Sequence, residues 1–288
     1  FAAGACIFQG GPVADGRMIL GCSHLCWGSR DLPGDLHVLD AAGFKVQFQE
    51  RSLANDTRKA SFLNEPAARM GMALCRSVQG GVAVELVKYP RLFGRSSADF
   101  DVVLGDCGLQ APMAEDCADV ASVVRGALDV VNVSRHVWGS GEAGVWSVAG
   151  APARVLALLK PVAGLGDAVR FWSEALGWKA TRSGGAPGFR WQRMDFRSPV
   201  PAWSLPLVLH ECSGAAEPSR LDEAGGNCLS VLVRDVERTR QRLLEWSGVT
   251  ATEIMELTVN AQPLKLAMVR VPDGALLELL EAPTRRPS

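Results

Sequence analysis

The strongest constraint on the fold is a unit that recurs along the chain: an apolar strand, a short amphipathic helix, then several strands ending in an alternating apolar run. Residues 18–28 read as a strand and 31–42 as a helix stopped at Gly43. Segments 44–49, 59–63, 70–78 and 82–89 follow as strand material, with Gly80-Gly81 as the hairpin turn before the last of them. A later unit has a strand at 155–160, a helix at 167–176 stopped at Gly177, and strands at 190–196 and 205–210. The final unit opens at 228–233, carries a helix at 236–246, and closes with strands at 265–271 and 275–280. Between those strands Pro272 presets φ and Gly274 accepts positive φ, which makes Pro272-Asp273-Gly274 a turn. A fainter unit lies between the first and third, with strands at 101–105, 109–113 and 145–148 around a helix at 116–128. Three closing runs resemble one another: Val84 to Pro90, Trp146 to Pro152 and Leu277 to Pro283. The expected fold is α+β, with four βαβββ units in two pairs. An N-terminal segment, 1–16, precedes domains at 17–150 and 151–288.

At 288 residues the chain can bury a sizeable core without metals or staples. Hydrophobic residues at 48% against 21% charged exclude a disordered chain. A net charge of −1, with no Lys/Arg run, argues against nucleic acid as a partner. No apolar stretch approaches the ~18 residues of a membrane span. Residues 1–8 are apolar but short and follow no basic region, which reads against a secretory leader. The eight cysteines are scattered, without a Cys-x-x-Cys pair, as buried free thiols of a reducing compartment would be. These features imply a soluble cytoplasmic protein, a monomer or homodimer, whose partner is a small molecule.

Several runs resemble the vicinal oxygen chelate superfamily, which includes glyoxalase, extradiol dioxygenases, and fosfomycin and bleomycin resistance proteins. Phe171-Trp172-Ser173-Glu174-Ala175-Leu176-Gly177-Trp178 is similar to that family's helix end, and Val271-Pro272-Asp273-Gly274-Ala275-Leu276-Leu277-Glu278-Leu279 to its closing hairpin. His24-Leu25-Cys26-Trp27-Gly28-Ser29-Arg30-Asp31-Leu32 resembles its opening strand, and 228–236 is similar with cysteine in the histidine place. The resemblance spans about residues 17–283. It implies that each unit curls into half a cup, with metal ligands on the first and last strands.

Cys22, His24 and Cys26 read as one strand face. Successive residues of such a face lie ~6.8 Å apart, too far for one metal with ~2.0–2.3 Å bonds, so partners must come from other strands. The family positions are His24 and Glu85 in unit one, Gln110 and Ser147 in unit two, and Cys228 and Glu278 in unit four; unit three offers only apolar residues near Leu156 and Leu209. Pairing units one and two gathers His24, Glu85 and Gln110, whereas pairing units one and four gathers His24, Glu85, Cys228 and Glu278. Each residue also has a plain structural reading. His24 could be a hydrogen-bonded pocket residue, Glu85 a strand-edge carboxylate, Cys228 a small buried hydrophobe, and Glu278 one of several carboxylates nearby. Trp27, Trp146, Trp191 and Trp203 lie on or beside strands and read either as rings lining a ligand pocket or as core.

The resemblance implies a small-molecule enzyme in which a divalent metal (Zn, Ni, Mn or Fe) binds adjacent substrate oxygens as a Lewis acid, with Glu85 or Glu278 as base. Isomerase or lyase chemistry is expected in preference to oxygen activation, because the two-histidine-one-carboxylate iron triad lacks its second histidine. The alternatives are a metal-free drug- or metabolite-binding protein with an aromatic pocket, as in antibiotic resistance, and a degenerate scaffold.

Overall fold

The computed structural model describes residues 18–94, 100–105, 153–186, 189–212, 217–259 and 262–282. In the first unit β1 (Ile19–Gly28) leads into α1 (Leu32–Ala41), and β2 (Phe44–Ala54), β3 (Arg69–Ser77) and β4 (Ala83–Lys88) complete it. Proline in the first turn of α1 loses no helical hydrogen bond, and Gly43 leaves the helix at φ 83°. The segment 59–63 is not the expected strand. It lies in a 3₁₀ turn, Thr57–Phe62, which Asp56 caps by accepting from the Arg58 N–H at 2.9 Å.

Of the second unit, only β5 (Asp101–Gly105) falls among the described residues; the expected elements at 109–113, 116–128 and 145–148 lie outside them. The third unit comprises β6 (Arg154–Val162), α2 (Leu165–Glu174), β7 (Lys179–Ala186), β8 (Phe189–Asp195) and β9 (Pro206–Glu211). The fourth has β10 (Gly225–Val233), α3 (Val236–Leu244), β11 (Thr250–Ala251), β12 (Met255–Val259), β13 (Gln262–Arg270) and β14 (Leu276–Glu281). Strands β7 and β12 escape the sequence pattern because each pairs on one side only and lacks a continuous buried face.

The first and fourth units share a single sheet among the described residues, in the order β11-β13-β14-β10-β1-β4-β3-β2 with β12 on β13. At its centre β1 runs antiparallel to β10, while each also pairs with its own unit's closing strand in parallel, β1 with β4 and β10 with β14. A second sheet, β5-β6-β9-β8-β7, holds the third unit. Both central strands of the first sheet are buried along their whole length, as strands covered on both faces are.

Alternation sorts the first sheet into two faces. On β14, Leu277 and Leu279 join the core that includes Phe171, Trp172 and Leu39 of the helices. Leu276 and Leu280 point the other way, into a separate cluster with Cys26, Met268 and Tyr89. Glu278 sits between these two leucines, and Glu85 occupies the same face of β4 beside Val87. No helix of the described residues is long and apolar enough to cross a membrane.

A polar cluster joins the two sheets. Asp273, in the turn before β14, accepts from Trp172 Nε1 at 2.8 Å and lies 3.4 Å from Nζ of Lys160, which is fully buried. The Lys160 ammonium also lies 5.4 Å from the centroid of Phe100. Such a charge is tolerable inside only with opposite charge and hydrogen bonds around it. Asp273→Ala removes one carboxylate from a buried ammonium and the acceptor from an indole N–H. It is expected to cost about 3 kcal/mol or more in urea unfolding; a loss under about 1 kcal/mol would show that the cluster does not hold the sheets together.

Candidate metal centre

The site starts from an irregularity in β1. Cys22 stands opposite Val231 but His24 opposite Ser230, so Ser23 is an extra residue on the β1 side. Such a bulge resets which way the following side chains point. It overturns the reading of Cys22, His24 and Cys26 as one face: Cys22 packs into the helix-side core, whereas His24 and Cys26 line a cavity on the opposite face.

From His24 to Cys26 the register is regular. His24 faces Ser230, Leu25 faces Leu229 and Cys26 faces Cys228. A local two-fold through the Leu25–Leu229 pair therefore exchanges His24 with Cys228 and Cys26 with Ser230. The parallel pairings Cys26–Glu85 and Ser230–Glu278 obey the same operation, so Glu85 and Glu278 are equivalents. Four candidate positions, two from each unit, thus meet about one axis.

The side chains converge. His24 Nε2 lies 3.2 Å from Glu278 Oε2 and 3.7 Å from Glu85 Oε1, and the Cys26 thiol donates to Glu85 Oε2 at 3.2 Å. One donor atom each from His24, Cys26 and Glu85 lies within 4.8 Å of the others, close to the ~4–4.6 Å expected for two ligands of one ion at ~2.0–2.3 Å. His24 Nδ1 is 3.1 Å from Ser23 Oγ, so the bulge residue itself fixes the ring. Nε2 is then left toward the carboxylates, buried and without an aligned hydrogen bond. His24 is 6% exposed, and Glu85 and Glu278 are each 9% exposed.

Electrostatics separates the two carboxylates. Burial works against the His24 imidazolium, but Glu85, Cys26 and Glu278 outweigh it and raise its pKa well above 6.5. Burial pushes Glu85 above the usual carboxylate range, against the pull of His24. Burial opposes ionisation of Glu278 too, yet the close, charged His24 ring 3.2 Å away carries it down to about 2. Cys26 is raised by its contact with the Cys228 thiol and by burial, so it keeps its proton.

Cys228 is wholly buried and does not line the cavity; the thiol facing the cavity is that of Cys26. Gln110 and Ser147 lie outside the described residues, as does Trp146. The other three tryptophans do not line the cavity. Trp27 alternates with Cys26 onto the helix-side face. Trp203 packs against Gly21, where a Cβ would come within 2.4 Å of its own Cβ, and Trp191 covers Gly184 in the second sheet. Apolar side chains line the cavity instead, among them Met70, Met72, Leu74, Leu264, Leu266 and Met268. Lys59 and Tyr89 also line it and were not singled out from the sequence. For Lys59 no signal existed, since a lysine in a misassigned strand carries no hint of where its chain turns inward.

No protein-family profile matches the chain, and no curated protein matches it. Solved structures do. Glyoxalase I from Zea mays superposes with a TM-score of 0.53 at 14% identity, covering 91% of this chain and 92% of that one; a point mutant of the same enzyme reaches 0.57. A putative dioxygenase from Bacillus subtilis superposes at 0.56 and 11% identity, covering 93% of this chain and 87% of that one. The chain therefore has the vicinal oxygen chelate fold of paired βαβββ units.

The charges give a signed pH dependence in metal-free protein. Because the folded pKa of His24 is raised, its contribution to stability is complete below 6.5 and is lost as pH rises through the folded value. Glu278 contributes above 4.5 and loses its contribution as pH falls toward about 2. The His24 imidazole, followed by NMR, should titrate above 6.5, and Glu278→Gln should move that midpoint down. A wild-type midpoint at or below 6.5 would contradict this electrostatic account.

Proposed function

We propose that the chain is a metal-assisted enzyme of glyoxalase-like type, an isomerase or lyase acting on a small molecule with adjacent oxygens. The observation that carries this reading is the convergence of His24, Cys26 and Glu85, whose donor atoms lie within 4.8 Å of one another, with Glu278 of the fourth unit 3.2 Å from the buried His24 Nε2. An imidazole and two carboxylates form a donor set suited to a divalent ion, and three protein donors leave positions open for substrate, as catalytic zinc sites do. His24, Glu85 and Glu278 would hold the ion, with the Cys26 thiol in reach and Cys228 behind it. When bound, the ion supplies Lewis-acid polarisation of the substrate's adjacent oxygens.

The chain's own residues divide the remaining work. Glu278, held ionised at about 2, is suited to constant ligation. Glu85, pushed upward by burial, is the better proton acceptor, because a base works best with its pKa near the operating pH. One Glu85 oxygen would take the proton from the carbon beside the bound oxygens and return it to the neighbouring position or the leaving group. Cys26 would orient that carboxylate through its thiol hydrogen bond. The methionine and leucine walls keep bulk water from the proton in transit. For the aromatic-pocket alternative, Trp27, Trp191 and Trp203 lie away from this cavity and Trp146 lies outside the described residues; the rings that line it are those of Phe48 and Tyr89.

Metal analysis tests the reading. Protein purified without chelator, or reloaded with zinc, should hold about one divalent ion per chain. His24→Ala and Glu278→Gln should each weaken zinc binding at least about tenfold, as loss of a ligand does. Wild type that takes up no stoichiometric ion, or variants that bind zinc as tightly as wild type, would overturn it.

A further inference from the structure

The cavity contains one cation that the proposed chemistry does not use. Lys59 is 6% exposed and lines the cavity, yet its ammonium makes no hydrogen bond or ion pair within the described residues. It is near enough to Glu85 and Glu278 to stabilise their charges, but no carboxylate oxygen comes within 4 Å of it. Its charge is balanced only at a distance, by carboxylates that it does not touch. A flexible lysine stem would ordinarily turn such a charge outward.

The fold keeps it in place. The Thr57–Phe62 turn that carries Lys59 is clamped by the chain leading into β10. Leu221 N–H donates to Phe62 O at 2.9 Å, Arg220 Nη1 to Leu63 O at 3.0 Å, and Asn64 N–H to Asp222 Oδ1 at 2.8 Å. Arg58 Nη1 donates to Ile254 O from the other side. Both units that build the metal centre thus also hold the turn. Tyr89 is a second buried donor lining the cavity, likewise without a hydrogen-bond partner in the described residues.

The surrounding wall decides what the lysine is for. A divalent ion held by Glu85 and Glu278 cancels their charge, because ligating carboxylates are ionised and ligating histidine is neutral. Lys59 then stands as an excess positive charge among methionine and leucine side chains, with a hydroxyl donor in the same cavity. We infer that Lys59 recognises the carboxylate of an apolar, monoanionic substrate and orients its other end toward the metal centre. This inference rests on the metal reading for the position of the reacting end, whereas the absence of a hydrogen bond or close ion pair to Lys59 is a property of the metal-free structure.

Octanoate and the neutral octanamide serve as probes, with affinity read by calorimetry on wild type, Lys59→Met and Lys59→Arg, each metal-free and zinc-loaded. Wild type should prefer octanoate at least about tenfold, the scale of a hydrogen bond to a charged group. Lys59→Met should lose that preference while binding octanamide as before, and Lys59→Arg should keep most of it. An octanoate affinity within twofold of wild type in Lys59→Met, or equal wild-type affinity for both probes, overturns the inference. Zinc content measured on the same samples separates the two claims. Failure to take up zinc sinks the metal reading, and the metal-free comparison still decides Lys59.

Discussion

Two carboxylates on strands of a sheet covered on both faces set the terms for everything else in this fold. Glu85 and Glu278 stand among leucine and valine neighbours on β4 and β14, where a lone negative charge is not tolerated. They survive because a histidine from β1 lies between them and because Lys59 is close enough to lower both pKa values. The His24 proton is what a divalent ion would displace.

That arrangement exists only because the first and fourth units share a sheet. The first unit supplies His24, Cys26 and Glu85, and the fourth brings Glu278 to 3.2 Å from His24 Nε2. The antiparallel pairing of β1 with β10 about Leu25 and Leu229 brings the two sets together, and the Ser23 bulge turns His24 to the correct face. The same cooperation recurs at the rim, where residues 220–222 of one half clamp the Lys59 turn of the other. The second sheet is tied in through Asp273, in the turn leading to the strand that carries Glu278.

Much of this was legible in the residues. Periodicity, the glycine stops at Gly43 and Gly177 and the turn at Gly274 located most strands and all three described helices. The resemblance to the vicinal oxygen chelate superfamily placed Glu85 and Glu278 on the closing strands as candidates. The rest was hidden for definite physical reasons. The pairing of distant units is non-local, so no stretch of sequence encodes it. One inserted residue, Ser23, reverses every later side chain of β1 and leaves no compositional trace. The tryptophans illustrate the limit of strand-based reasoning: Trp27 is one residue from Cys26, and that single step puts it on the opposite face. Lys59 sat in a segment whose apolar residues resemble a strand, while the Asp56 cap that makes it a 3₁₀ turn depends on one hydrogen bond.

The central claim is that one ion is shared by side chains of units one and four. Anomalous diffraction at the zinc edge, on crystals of zinc-loaded protein, addresses it most directly. The account predicts a single strong peak in this cavity within about 2.0–2.3 Å of His24 Nε2 and of oxygens from both Glu85 and Glu278. A peak bound by residues of only one unit, or none in the cavity, would contradict it.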